Sequence, residues 1–400
     1  MIMSKPKPPR ILISGYYGFS NIGDEAILLS LRLSLQQEMP GVELVVLSAS
    51  PEETARHHGV RAIPRLGFWR ILWELLHADL LISGGGSLFQ DSTSSRSLYI
   101  YLSVVALGLL TRRPVMIYAQ GIGPLIRPFN RWLTARLLER VSLICVRDEQ
   151  SLDELAKLDM NWVAMDLTAD PVLALTAASP DIGQRILVDL GMKRAVPESE
   201  EGISEGPLIG VSIRPWAGSE HLLQVLEEVL LRLVREGAKL ILIPMHYPGD
   251  DAITEELRTR LSLAMEREDA KDGTVRGEAV NLCVLPGGYG VLDLISLIEN
   301  FNLMIGVRLH ALVFAAIAST PAIAISYDPK VDHFAARMKQ ACAGSIAEVQ
   351  ADGLYELACD CLAEEQAIRR QNRELSEELR REAQRSAERA ARLVQRRRKR

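Results

Sequence analysis

Runs of consecutive aliphatic residues, separated by longer segments of helical periodicity, constrain the fold of this chain more than any other feature. In the first half, the runs occupy residues 10–15, 42–47, 79–83, 114–119 and 143–146. Strands that are buried on both faces read as such unbroken runs, and the intervening helices cover the two faces of a parallel sheet. The pattern therefore predicts an α/β fold with a doubly wound, Rossmann-like sheet.

The same pattern starts again after residues 194–207, an acidic segment with Pro and Gly but few bulky apolar side chains. Further strands are predicted at residues 208–213, 239–244, 281–285, 303–307 and 322–325. The predicted organisation is a first domain at 10–180, a linker region at 181–207, a second domain at 208–345, and C-terminal helices with a basic tail at 346–400. We expect two Rossmann-like domains that face a cleft, where the strand ends of such sheets bind ligands.

Charge and cysteine content limit the class of protein. The chain has 400 residues with a formal net charge of −5, so nucleic acid, which needs a basic face, is not an expected partner. The five cysteines are scattered and lack paired metal-ligand spacing. We therefore expect reduced thiols and no metal site.

The sequence also bears on localisation. No signal-peptide pattern precedes the first predicted strand, and the apolar run at residues 98–110 is shorter than the roughly 18 residues that a membrane span needs. We therefore expect a cytoplasmic protein in which this run is a buried helix. The last five residues, 396–400, are all Arg or Lys, and such clusters attract anionic lipid head groups. Two interpretations of this cluster are left open: peripheral contact with the inner face of the cell membrane, and a tail that is merely solvated.

Two glycine-containing loops follow predicted strands of the first domain. In residues 15–25 the spacing is neither that of a dinucleotide fingerprint nor that of a P-loop, and Tyr16, Tyr17 and Asn21 could contact hydroxyl groups. In the second loop, the glycines at residues 84–86 let the backbone approach a ligand closely, and Asp91 could accept a hydrogen bond from a sugar. The alternative in both places is a tight structural turn.

A group of cations at strand ends is the least ordinary feature of the chain. Arg308 and His310 lie at a strand-to-helix junction, and Lys330 follows the next strand. Helix N-termini attract anions, and a histidine can transfer a proton near neutral pH. Arg147 also ends a strand, where it could instead pair with the acidic residues that follow, and Arg214 could bind an anion or close the cleft. The sequence therefore predicts an anion-binding centre with a proton donor.

Six short motifs occur in order along the chain: residues 15–25, the glycines 84–86 with Asp91, residues 121–124, Arg147-Asp148, residues 308–310 and residues 327–331. Together they resemble the polysaccharide pyruvyl transferase family over about residues 10–345. Within this family, they are most similar to the CsaB branch. The resemblance implies a GT-B-like fold and transfer of the carboxyvinyl unit of phosphoenolpyruvate to a sugar as a cyclic pyruvate ketal. In the CsaB branch the implied acceptor is an N-acetylmannosamine unit of a lipid-linked cell-wall polysaccharide precursor, ketalised at O4 and O6, and the product anchors S-layer homology domains.

The resemblance implies roles for particular residues. Phosphoenolpyruvate would be held by three cations: Arg147, Arg308 and Lys330. His310 is the expected general acid, acting with Arg308. The acceptor sugar would be contacted by Asn21, Asp24, Gly85 and Asp91. Phosphoenolpyruvate and the lipid-linked precursor are the expected partners, without a further cofactor or metal, and the oligomeric state stays open.

Two other classes of function fit parts of the same pattern. A GT-B glycosyltransferase would place a nucleotide sugar against the second domain, with cations on its diphosphate. A non-catalytic phospho-sugar binding protein would need the cations but no proton donor. The combination of Arg308 and His310 with Lys330 favours a compact trianion over a nucleotide.

Overall fold

The computed structural model describes residues 7–92, 94–158, 160, 163–192, 206–272 and 281–399. Contacts divide the chain into two compact units. The N-terminal unit comprises Met1–Leu175 with Glu378–Arg400, and the C-terminal unit comprises Thr176–Glu377. Residues 193–205 of the predicted linker lie outside the described residues, whereas its first part forms most of a helix, Pro180–Asp189.

The N-terminal unit is built on a parallel sheet. Its described strands are β1 Arg10–Ser14, β2 Glu43–Ser48, β3 Arg61–Pro64, β4 Leu80–Gly84, β5 Val115–Gln120, β6 Leu143–Val146 and β7 Met165–Leu167. They lie in the order β3-β2-β1-β4-β5-β6-β7. The central strands are buried along almost their whole length, which explains their unbroken aliphatic sequences.

Helices connect these strands on both sides of the sheet. They are α1 Ile22–Glu38, α2 Pro51–His58, α3 Phe68–His77, α4 Ser95–Leu110, α5 Pro128–Leu138 and α6 Glu149–Ala156. Helices α3, α4 and α5 lie side by side, and their inner residues share one hydrophobic cluster with the strands. The predicted buried helix at residues 98–110 is the main part of α4. Only its inner side is buried, however, because Tyr99 and Leu110 are exposed.

The C-terminal unit repeats the architecture with a second parallel sheet. Its described strands are β8 Leu208–Ser212, β9 Lys239–Leu242, β10 Leu282–Val284, β11 Leu303–Gly306, β12 Ala322–Ser326 and β13 Ala341–Ser345. They lie in the order β10-β9-β8-β11-β12-β13. The helices are α7 Pro180–Asp189, α8 Ser219–Arg235, α9 Asp251–Asp272, α10 Val291–Ile298, α11 Leu309–Ile317, α12 Pro329–Met338, α13 Ala351–Ala363 and α14 Glu365–Arg398. The prediction of two parallel-sheet α/β domains is confirmed.

Helix α14 contributes to both units, because the division falls at Glu377. In its last part, Arg385 and Arg389 bind the Asp166 carboxylate at 2.9 and 2.8 Å, and the Ser386 hydroxyl lies 3.1 Å from the Thr168 hydroxyl. The alanines of this segment are buried. The end of the chain therefore packs on the N-terminal unit. Among the described helices, none is both long and apolar enough to cross a membrane.

Candidate active site

Each sheet has one point at which the direction of winding reverses, and the two points gather most of the predicted site residues. In the C-terminal unit the reversal lies between β8 and β11, where Ser212 and Gly306 are register partners. In the N-terminal unit it lies between β1 and β4. Crevices at the carboxyl ends of strands beside such a point are the usual ligand sites of open α/β sheets.

Arg308 lies at the reversal point of the C-terminal unit, immediately before α11. Its guanidinium donates from Nε to Asp250 Oδ2 at 2.9 Å and from Nη2 to Asp250 Oδ1. Asp250 is fully buried, and it also accepts a hydrogen bond from the Met245 N–H. A bidentate pair of this kind fixes the plane of a guanidinium. Within the described part of the chain, Nη1 of Arg308 donates to no protein acceptor, so it can serve a ligand.

A second cation, Arg214, follows β8 and stacks on two aromatic rings. Its guanidinium lies 4.4 Å from the ring centroid of Tyr327 and 4.8 Å from that of Trp216. The ammonium of Lys330 lies 5.1 Å from the same Tyr327 ring and 3.3 Å from the Asp328 carboxylate. Tyr327 therefore holds two cations beside one ring. Sequence reasoning gave Arg214 no definite role, and the signal was its place directly after a strand beside the reversal point.

We call Arg214, Arg308 and Lys330 the cationic cluster. All three follow neighbouring strands β8, β11 and β12, whose carboxyl ends meet at one edge of the sheet. Two carboxylates, Asp250 and Asp328, offset part of the charge. The three cations and these two carboxylates together carry a formal charge of +1 (3 − 2). This net positive charge would attract a trianion, while the carboxylates balance part of the charge of the cations.

His310 lies in the first turn of α11, beside Arg308, and is partly buried. The residue at the N-cap of this helix is Arg308, whose side chain forms no capping hydrogen bond. Free N–H groups at a helix start form an anion site together with the positive end of the helix dipole. The structure thus places His310, Arg308 and Lys330 at one edge of the sheet.

In the N-terminal unit, hydrogen bonds that are buried or partly buried hold the loop after β1. The Tyr17 hydroxyl donates to the Gly84 carbonyl at 2.9 Å, and the Gly18 N–H donates to Glu25 at 3.0 Å. Asn21 caps α1 by accepting from the Gly23 N–H, and its amide donates to Asp24 at 2.6 Å. Asn21 and Asp24 therefore form one polar pair at the reversal point of this sheet.

The same loop carries a tyrosine whose environment is unusual. Tyr16 stacks on Phe19, with ring centroids 4.1 Å apart. Burial and then the Asp24 carboxylate raise the pKa of Tyr16 above its ordinary value, and Arg65 opposes them. The hydroxyl therefore stays protonated at neutral pH and can donate to a sugar oxygen. Together with Asn21 and Asp24, it gives this edge of the sheet a group of polar side chains that can hydrogen-bond to a ligand.

Gly85 and Gly121 are required by close packing. Gly85 has a φ of +68°, and a Cβ there would lie 1.9 Å from Ile27 Cγ2. A Cβ at Gly121 would lie 2.7 Å from the Ser87 hydroxyl and 3.1 Å from Arg147. The structure therefore gives Gly85 a packing reason to be glycine, whether or not the acceptor also contacts it.

Arg147 ends β6 in a buried ionic network. It donates to Asp170 at 2.8 Å and to the Ser87 hydroxyl at 3.1 Å, and it lies 3.4 Å from Asp148. Burial alone would lower the pKa of the Arg147 guanidinium, but Asp170 and Asp148 outweigh this and hold its pKa above the ordinary value. Arg147 lies in the N-terminal unit, and two carboxylates pair with this single cation, whereas in the cationic cluster two carboxylates are shared among three cations.

Asp91 is buried and holds the segment that leads into α5. Its carboxylate accepts from the Ile126 N–H at 2.7 Å, the Arg127 N–H at 2.9 Å and the Asn130 amide at 2.7 Å. Burial raises the pKa of Asp91, but these hydrogen bonds outweigh it and leave the pKa below the ordinary value. The carboxylate is thus charged at neutral pH and committed to the loop, as expected for a positioning residue.

The His, Cys, Asp and Glu side chains in the part of the chain that the structure describes are the groups that bear on metal and thiol chemistry. No three His, Cys, Asp or Glu side chains are grouped there so that they could hold a metal ion. Burial raises the pKa of the Cys145 and Cys283 thiols to about 12, so neither is a thiolate at neutral pH.

Solved structures share this architecture. HepE from Anabaena in complex with UDP superposes with a TM-score of 0.56 at 12% identity, covering 96% of this chain and 94% of that one. UDP-GlcNAc 2-epimerase from Neisseria meningitidis, bound to UDP-GlcNAc, superposes with a TM-score of 0.56 at 10% identity, covering 91% and 94%. At these identities the likeness shows the fold alone. The protein thus has the GT-B-like class of fold, with two parallel-sheet α/β domains.

The family follows from sequence comparison. The profile of the family described as "Polysaccharide pyruvyl transferase" matches residues 21–329, and the chain belongs to that family. Amylovoran biosynthesis protein AmsJ from Erwinia amylovora is 21% identical over 370 residues, which cover 80% of this chain and 84% of that protein. The protein is therefore an enzyme, a transferase that acts in pyruvyl transfer to polysaccharide.

Proposed function

We propose that this enzyme uses phosphoenolpyruvate to form a 4,6-linked pyruvate ketal on an N-acetylmannosamine-type sugar of a lipid-linked cell-wall polysaccharide precursor, with release of phosphate. Family membership supports the pyruvyl transfer. The observation that carries the choice of donor is the cationic cluster beside His310, at the reversal point of the C-terminal sheet. The CsaB-like activity and the lipid-linked acceptor, which would place the reaction at the inner face of the cell membrane, rest on the motif resemblance.

The charge of the donor matches the cluster. Phosphoenolpyruvate has a carboxylate and a phosphate monoester, with a total charge of about −3 near neutral pH. Arg308, held in one plane by Asp250, offers its remaining N–H groups to a carboxylate or phosphate. Arg214 and Lys330, which both lie beside the Tyr327 ring, add further positive charge. The N–H groups at the start of α11 complete an anion site.

His310 then supplies the proton. Protonation of the methylene carbon breaks the C=C double bond and places positive charge on the central carbon, where a sugar hydroxyl adds and loses its proton. The C–O bond to phosphate breaks, and the second hydroxyl closes the ketal ring and also loses its proton. One of these two protons replaces the one that the histidine gave, and the other leaves with phosphate. A histidine suits this exchange because it gives and takes protons near neutral pH.

On the acceptor side, we assign the sugar contacts to Tyr16, Asn21 and Asp24. The Asp24 carboxylate is paired with the Asn21 amide, and after burial it is the second cause of the raised pKa of Tyr16. Asp24 is thus the better candidate to orient or deprotonate a hydroxyl. Asp91 supports the site through the loop that it holds, and Arg147 supports it through Ser87.

The test is phosphate release from phosphoenolpyruvate with and without a synthetic N-acetylmannosamine-containing acceptor. Release should require the acceptor and should be lost in His310→Ala, while His57→Ala, which alters an exposed histidine of the N-terminal unit, should retain it. Turnover of a nucleotide sugar without phosphate release would instead assign the cationic cluster to a diphosphate, as in a glycosyltransferase. Binding of phosphoenolpyruvate that survives His310→Ala with no turnover by any variant would indicate a binding protein.

A further inference from the structure

A surface of the N-terminal unit exposes large apolar side chains, most of them aromatic, on two helices that flank a third. We call it the aromatic face and define it by Phe68, Trp69, Trp73, Leu76, Phe129 and Trp132. These residues lie on α3 and α5, and α4 packs between the two helices and contacts both. Three of the five tryptophans of the chain lie on this face.

The outward side of α3 is apolar, contrary to the usual pattern. Ile71 and Leu75 are buried in the core, as expected for the inner side. On the outer side, Trp69, Trp73 and Leu76 follow each other at helical spacing and are 77%, 49% and 50% exposed. A surface helix normally places polar residues there, and a contiguous exposed apolar patch marks an interaction surface.

The charge of the same region is opposite to that of the whole chain. Residues 65–140 contain nine arginines, no lysine and four acidic residues, which gives 9 − 4 = +5, whereas the chain carries −5. Two of the acidic residues, Glu74 and Asp91, are buried. The other two, Asp79 and Glu139, form ion pairs with arginines. The stretch of chain that carries the aromatic face thus has an excess of arginine, and its acidic side chains are buried or paired.

We propose that the aromatic face docks the N-terminal unit onto a membrane surface that contains anionic phospholipid. Tryptophan prefers the head-group level of a bilayer, because its ring is apolar and its N–H is polar. Arg70, which is exposed on α3 beside Trp69, would bind lipid phosphates. Apolar insertion with electrostatic attraction is the pattern of interfacial helices. A water-soluble protein partner would not require this excess of positive charge.

The surface differs from the one that the sequence suggested. The basic tail ends α14, where Arg398 donates to the backbone carbonyls of Lys7 and Pro8 and lies 3.4 Å from the Asp79 carboxylate. Its charge is thus partly used within the protein. The docking surface that we infer is the aromatic face, and it does not depend on the identity of the donor or the acceptor.

Vesicle binding tests this inference with the full-length protein. Vesicles of phosphatidylcholine with phosphatidylglycerol should bind the protein, vesicles of phosphatidylcholine alone should bind it more weakly, and added salt should reduce binding. Brominated lipid should quench the tryptophan fluorescence. Trp69→Ser/Leu76→Ser and, separately, Phe129→Ser/Trp132→Ser should each weaken vesicle binding by about tenfold or more. Val188→Ser/Leu263→Ser, which removes exposed apolar side chains from the other unit, should bind as the wild type does.

Three outcomes would overturn the proposal. One is vesicle binding that is unchanged in both aromatic variants. Another is loss of binding only when the chain is truncated after Gln395, which would assign the contact to the basic tail. The third is absence of vesicle binding while light scattering shows a dimer that the aromatic variants dissociate, since the face would then join two copies of the chain. Thermal unfolding and turnover of a water-soluble acceptor, which should match the wild type, show that the variants are folded.

Discussion

Arg308 and Asp250 form a bidentate ion pair in which the carboxylate is fully buried and the guanidinium is only 13% exposed. The pair joins the loop before α9 to the start of α11 and fixes the plane of the cation that we place against phosphoenolpyruvate. Because Asp250 holds the backbone N–H of Met245 as well, it links the cation to the end of β9. A single buried carboxylate thus positions the central cation of the proposed donor site.

Asp250→Asn should damage both stability and catalysis. Removal of one partner of a buried ion pair lowers the free energy of unfolding by about 3 kcal/mol. The misaligned Arg308 should also raise KM for phosphoenolpyruvate and lower kcat/KM by about tenfold or more. The neighbouring Asp251→Asn, in the first turn of α9, is the matched control and should change stability by only a few tenths of a kcal/mol. Wild-type kinetics for Asp250→Asn would refute the positioning role.

Tyr327→Ala should weaken binding of phosphoenolpyruvate because two cations rest against its ring. The rings of Tyr327 and Trp216 hold Arg214 at 4.4 and 4.8 Å. Loss of such contacts at a partly buried site should cost about tenfold in affinity. Tyr327→Phe retains the ring and should bind nearly as the wild type does. Calorimetric titration with phosphoenolpyruvate measures the affinity of each variant. Equal losses of affinity in the Ala and Phe variants would assign the effect to the tyrosine hydroxyl instead.

Asp91→Asn should destabilise the fold in a pH-dependent way. The carboxylate accepts two backbone N–H groups and one side-chain amide, so the substitution should lower the free energy of unfolding by about 2 kcal/mol at neutral pH. Since the folded-state pKa of Asp91 lies below its ordinary value of 3.8, this contribution is present above that value and is lost as the pH falls through the folded pKa. Thermal unfolding of the two proteins should therefore converge below about pH 4. A constant difference down to strongly acidic pH would contradict the account.

Gly85→Ala should be far more destabilising than glycine substitution at another left-handed position. The new Cβ would lie 1.9 Å from Ile27 Cγ2, whereas at Gly59, with a φ of +61°, it would meet nothing within 4 Å. We expect a loss of about 1 kcal/mol for Gly59→Ala and roughly 3 kcal/mol for Gly85→Ala. Ile27→Ala, which removes the clashing methyl group, should make the pair less than additive. If the two substitutions lowered the free energy of unfolding additively in denaturant experiments, the strained backbone conformation, and not the contact with Ile27, would account for the loss of stability.

Sequence alone predicted the central strands of both sheets because burial on both faces leaves a signal that needs no tertiary context. It did not predict β3, β7 and β13, which lie at or near the edges of the sheets and carry half-exposed residues. The aliphatic signal is lost there, since these strands pack on fewer neighbours. The fold class was thus readable, while the extent of each sheet was not.

The candidate site was predictable to a similar degree. Position after a strand was enough to single out Arg308, His310 and Lys330, because the carboxyl ends of parallel strands meet at one edge. The pairing of Arg308 with Asp250 was not foreseen, since 58 residues separate the two in sequence. The hydrogen bonds of the Asp91 carboxylate to backbone N–H groups near residue 126 were not foreseen either. An aspartate in a loop has the same sequence signature whether it binds a sugar or the protein's own backbone.

The most direct test of the central claim follows the methyl group of the ketal in deuterated water. The acceptor and phosphoenolpyruvate are incubated with the wild type and with His310→Ala, and the product is examined by NMR and mass spectrometry. The account predicts a pyruvate ketal on the wild-type product whose methyl group carries one deuterium from solvent, with no ketal formed by the variant. A ketal formed at the wild-type rate by His310→Ala, or an acceptor that gains a sugar but no pyruvate, would contradict it.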